Sequence, residues 1–110
     1  MIPLSHDLSD ETVLVFGGGS VGARRARTFG REARVVVVAP EFADAAFGGA
    51  ERVRAEPSPE AVADHVERHD PAVVVCATDD EAVNDAAARA ARERGALVNR
   101  ADRAGGRDAG

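Results

Sequence analysis

The chain has 110 residues, a formal net charge of −5 and a single cysteine. That length suits one domain with a core of its own, and an acidic surface disfavours nucleic acid and anionic membranes alike. No stretch approaches the roughly 20 apolar residues of a membrane span, Met1-Ile2-Pro3-Leu4 is too short and uncharged for a secretory signal, and the lone Cys76 excludes an internal disulfide and agrees with a cytoplasmic location.

Thr12 to Phe16 is a short apolar run that stops at glycines, the pattern of a strand buried on both faces. Val21 to Phe29 has helical composition, with Arg24, Arg25 and Arg27 expected to face outward. Arg34 to Ala39 holds four consecutive valines, a buried parallel strand ended by Pro40. Between Glu41 and Ala50 a short helix is expected over Phe42 to Phe47, stopped by Gly48-Gly49. Glu51 to Ala55 reads as a modest edge strand. Ser58 then caps a helix from Pro59 to His69 whose inner face carries Ala61, Val62, His65 and Val66. Ala72 to Ala77 is another buried strand, with Cys76 inside it as a small hydrophobe. A long helix begins at Thr78-Asp79-Asp80, runs to Arg94 and closes on Gly95, and Ala96 to Asn99 is a last short strand. Strands and helices in this alternation specify an α/β fold, a Rossmann-type doubly wound parallel sheet with strand order 3-2-1-4-5.

Gly17-Gly18-Gly19-Ser20-Val21-Gly22 follows a strand and opens a helix, the context in which G-x-G-x-x-G binds a dinucleotide. Gly17 permits the tight turn, Gly19 lets the backbone approach a pyrophosphate, and Gly22 lets helix and strand pack closely. The helix start adds N–H donors and a partial positive charge. The chain has no lysine, so the loop is not a Walker motif.

Glu41 stands where an acidic residue grips the adenine ribose, and it serves equally well as a solvated loop carboxylate; no arginine follows the second strand directly, which favours NAD over NADP. Thr78, Asp79 and Asp80 border the same carboxyl edge, with helix capping as the plainer role for at least one of them. Asn99 to Asp102 borders it too. His6, His65 and His69 show no metal-ligand spacing on one face, and no metal site is expected.

Ile2-Pro3-Leu4 with Asp7-Leu8, Val13 to Val21, Val38-Ala39-Pro40-Glu41, Ala77-Thr78-Asp79-Asp80 with Val83-Asn84, and Val98 to Asp102 resemble, in order, the precorrin-2 dehydrogenase family of siroheme synthesis. The resemblance implies NAD-dependent oxidation of precorrin-2, a tetrapyrrole, to sirohydrochlorin, with Asp102 as the catalytic residue. It places cofactor contacts at Ser20 and Val21 and at Pro40 and Glu41. Arg100, Arg103 and Arg107 are candidates for the substrate's carboxylates, or simply solvated.

The first helix is expected to lack the family's closing glycine. The whole chain, residues 1–110, corresponds to the family's NAD-binding domain, without the dimerisation and helical regions through which a longer form makes a homodimer. A regulatory NAD-sensing module without catalysis is the alternative, and Ala39-Pro40 at the end of the second strand counts against it.

Overall fold

The computed structural model describes residues 10–101. The strands are β1 (Thr12–Phe16), β2 (Arg34–Ala39), β3 (Glu51–Arg54), β4 (Val73–Cys76) and β5 (Leu97–Arg100), and the helices α1 (Ser20–Phe29), α2 (Pro59–His69) and α3 (Glu81–Glu93). All four strand pairings are parallel, and the order across the sheet is β3-β2-β1-β4-β5, as the sequence predicts.

Period-two alternation divides the strand side chains between two cores. Leu14, Phe16, Val36, Val38, Val74 and Cys76 point to the side covered by α2 and α3, where they meet Val62, Val66, Val83, Ala87 and Ala91. Val13, Val15, Val35, Val37, Val73 and Val75 point to the side covered by α1, through Ala23 and Ala26, and by Phe47. Strands apolar on both faces are what a parallel sheet between helical layers requires, and each fully buried valine or leucine contributes about 1.5–3 kcal/mol.

Both helices on the first side begin with a side-chain cap. Ser58 Oγ accepts from the Ala61 N–H at 3.1 Å, with Pro59 in the first turn. Asp80 Oδ1 accepts from the N–H groups of Ala82 (3.0 Å) and Val83 (3.3 Å). The third helix therefore starts at Glu81, and Thr78 to Asp80 forms the turn before it.

Three expectations are corrected. No helix forms over Phe42 to Phe47; the segment is irregular, Gly48 and Gly49 both have positive φ, and the chain is tied down by side chains instead. Phe47 is buried and meets Phe42 edge-on at 5.7 Å, and Arg27 Nη1 donates to the Ala46 carbonyl at 2.7 Å. Two phenylalanines five positions apart fall on different faces of a helix, so the irregular path is what lets both rings meet. Arg25 does not face fully outward: it is half-buried, and its Nε is buried without a hydrogen-bond partner. Finally, α1 does close on a glycine, Gly30, in right-handed conformation.

Candidate functional site

Because every strand is parallel, β1, β2, β3 and β4 all end at one edge of the sheet, and the segments that follow them enclose a cleft of about 700 Å³. From β1 come Gly17, Gly18, Gly19, Ser20 and Val21; from β2, Pro40, Glu41, Phe42 and Ala43; from β3, Glu56 and Pro57; from β4, Ala77, Thr78, Asp79 and Asp80. The ten cofactor-site residues expected from sequence thus come together, with one exception. Gly22 lies behind the cleft, buried in the first turn of α1, where a Cβ would overlap the Gly17 carbonyl.

The turn at the cleft floor depends on absent side chains. Gly17 has φ +129°, and a Cβ there would overlap the Ala77 carbonyl. Gly18, to which the sequence assigns no separate job, lies against the Pro40–Ala43 segment: a Cβ would overlap the Glu41 carbonyl, and the Gly18 carbonyl accepts the Ala43 N–H at 2.7 Å. Gly19 differs from both. A Cβ on it would find nothing within 4 Å, so the space in front of it is open. Gly19 is also the N-cap of α1 and leaves the first turn without a side-chain cap or an acidic residue, unlike α2 and α3. The result is an open pocket in front of an uncapped, electropositive helix start, a fit for a diphosphate.

Pro40 and Glu41 both line the cleft. Arg54 Nη1 donates to the Pro40 carbonyl at 3.1 Å, and its guanidinium carbon lies 5.7 Å from the Phe42 ring centroid. Arg52 lies over Phe47 at 4.7 Å. These contacts hold the wall in place from below.

At the β4 end the three polar residues separate by role. Thr78 Oγ donates to Asn84 Oδ1 at 2.8 Å and accepts from the Asp80 N–H at 3.1 Å, and Asp80 caps α3. Asn84 Oδ1 also accepts from the Thr78 N–H at 3.1 Å, while Asn84 Nδ2 donates to the Thr78 carbonyl at 2.9 Å. Thr78 and Asp80 therefore shape the turn, and Asp79 and Asp80 are both exposed.

Asn84 is 1% exposed, and sequence reasoning gave it no role. The available signal was a polar residue on the apolar face formed by Val83, Ala87, Ala88 and Ala91. Glu56 and Pro57 were missed as well. Pro57 reads as the approach to a helix, but a third strand parallel to the second must deliver both residues to the same edge.

Asp102, Arg103, Arg107, His6 and the Ile2-Pro3-Leu4 and Asp7-Leu8 segments lie outside the described residues. The residue before Asp102 is anchored: Ala101 is buried and its N–H donates to the Cys76 carbonyl at 3.1 Å. Arg100 Nη1 pairs with Asp85 Oδ1 at 3.1 Å.

The reading of the histidines needs correction, because His65 and His69 do share a face of α2, their rings stacked at 6.4 Å. Among the described residues no three potential ligands gather around a metal position. His65 meets Phe16 edge-on, and its Nδ1 is buried without a partner. Burial pulls its pKa below the ordinary value, helped by Arg68 and His69 and opposed by Asp64.

Residues 4–108 match the model of a family of NAD(P)-binding domains. Over 109 residues the chain is 36% identical to siroheme synthase of Pseudomonas aeruginosa, a match covering 92% of this chain and 22% of that protein. Over 44 residues it is 46% identical to precorrin-2 dehydrogenase of Methanosarcina barkeri, covering 40% of this chain and 20% of that protein. The chain thus spans about a fifth of the length of these curated relatives. The solved structure of SirC, a precorrin-2 dehydrogenase, superposes with a TM-score of 0.65 at 30% identity, over 90% of this chain and 48% of that one. With a glycine turn open at the carboxyl edge of a 3-2-1-4-5 parallel sheet, the chain belongs to the NAD(P)-binding domain family that siroheme synthases and precorrin-2 dehydrogenases share.

Proposed function

We infer that this chain is the NAD-binding domain of an enzyme that oxidises precorrin-2 to sirohydrochlorin. The observation that carries the reading is the unplugged turn at Gly19, in line with segments from three other strands at one rim. Backbone N–H groups at the start of α1 hold the pyrophosphate, and Ser20 and Val21 flank it. Pro40 and Glu41 receive the adenosine ribose, with the Glu41 carboxylate accepting from its hydroxyls. Thr78 and Asp79 border the other half.

The cofactor supplies hydride acceptance when bound. Asp102 follows the anchored Ala101 and takes the proton that the macrocycle loses, as a general base. The substrate is a tetrapyrrole, and a longer form of the protein is a cytoplasmic homodimer. No helix among the described residues is long and apolar enough to cross a membrane.

Calorimetry with NAD on the full chain tests the first half, and the absence of heat at millimolar cofactor would overturn it. In a form that includes the rest of the protein, precorrin-2 should drive NADH formation read by absorbance. There, Asp102→Asn should abolish turnover while NAD affinity stays, and normal turnover would refute the role of Asp102.

A further inference from the structure

The β2–β3 half of the cleft carries two carboxylates and no guanidinium. Glu41 follows β2 and is the acid expected of a dinucleotide site. Glu56 follows β3, lines the same cleft and is solvent-exposed. Arg54, the cation nearest to it along the chain, is directed elsewhere. On β3, Val53 packs with the α2–α3 core, so Arg52 and Arg54 project to the opposite face, where they lie against Phe42 and Phe47. Arg54 is held there by the Pro40 carbonyl at 3.1 Å, and it does not line the cleft.

An arginine beside the second strand is how a dinucleotide site accommodates a ribose 2′-phosphate. Here the neighbouring strand supplies one and the local packing turns it beneath the wall. What the cleft presents in that half is negative charge from two separate segments.

We propose that Glu56 is a specificity-determining residue, which with Glu41 makes the site reject the 2′-phosphate of NADP. The proposal rests on the NAD reading above and goes further in assigning selectivity to the segment after the third strand. Glu41 acts in part by binding ribose hydroxyls; Glu56 acts through charge alone. A carboxylate several ångströms from a phosphate of nearly two charges, in water-exposed surroundings, disfavours it by about fivefold at low salt, and ions screen most of that.

The test measures dissociation constants for NAD and NADP by calorimetry on the full chain, on Glu56→Gln and on Glu56→Arg. Thermal midpoints serve as a check on folding. Glu56→Gln should lower the ratio of the NADP to the NAD constant by about fivefold at low salt, chiefly through tighter NADP, and Glu56→Arg by more than tenfold. At about 1 M salt the Gln effect should shrink below twofold. An unchanged ratio in both variants, with NAD still bound by the wild-type chain, would overturn the role of Glu56 and leave the NAD reading standing. Failure of the wild-type chain to bind NAD would remove both.

Discussion

Replacing Asn84 with alanine removes the amide that holds the Thr78 turn at both its N–H and its carbonyl, through contacts of 3.1 and 2.9 Å, and that receives the Thr78 hydroxyl at 2.8 Å. A buried backbone group left without a partner costs about 1–3 kcal/mol. Thr78 is half-buried, so water reaches part of the vacated space and the total is about 2–4 kcal/mol. That is a large share of the roughly 5–15 kcal/mol a small domain possesses. At about 4–8 °C per kcal/mol, the melting temperature should fall by about 8–30 °C. Urea unfolding should show a lower midpoint at an unchanged slope, since the surface exposed on unfolding stays the same. NAD affinity should fall by about tenfold, because the freed turn must then be ordered at binding. A melting temperature within about 3 °C of wild type would refute the account, by showing that the turn keeps its shape without the amide.

Gly18→Ala should weaken NAD binding by at least about tenfold while costing about 1–3 kcal/mol of stability, because the added methyl drives the Pro40–Ala43 wall outward; calorimetry and melting on the same sample check both. Phe47→Ala empties a site that is 2% exposed and should cost about 3–5 kcal/mol by urea unfolding, with loss of the near-ultraviolet signal from the Phe42 contact. The depressed pKa of His65 has a definite sign. Below the ordinary value of 6.5 the unfolded chain takes up a proton that the folded chain refuses, so stability is full above pH 6.5 and declines as pH falls toward the folded pKa. His65→Leu should flatten the decline below pH 6.5, and an unaltered slope would contradict the assignment.

The parts of the fold that are plain in the sequence are those built on long apolar periodicity. Val35 to Val38 and Val73 to Cys76 admit only strands covered on both faces, and the alternation with helices determines the order of the sheet. The glycine turn is legible because the positive φ of Gly17 and the packing of Gly22 against the Gly17 carbonyl are local. Long-range contacts escape this kind of reading. Gly18 owes its identity to Glu41, 23 positions away, and the course of residues 41–50 depends on Arg27, Arg52 and Arg54 from two other elements. Nothing in the composition of that segment distinguishes a short helix from a loop fastened by arginines. Asn84 is an intermediate case: its place on an apolar helix face flags it, but its partner becomes visible only once the Thr78 turn is seen.

The wall formed by residues 40–47 is held to the glycine turn by the Ala43–Gly18 hydrogen bond and to its flanks by Arg27 and Arg54. A surface assembled in this way before any ligand arrives forgoes the entropy loss of organising it at the moment of encounter. Capture of the dinucleotide by this domain should therefore proceed as rigid docking, in a single kinetic phase proportional to ligand concentration, without a saturating conformational step.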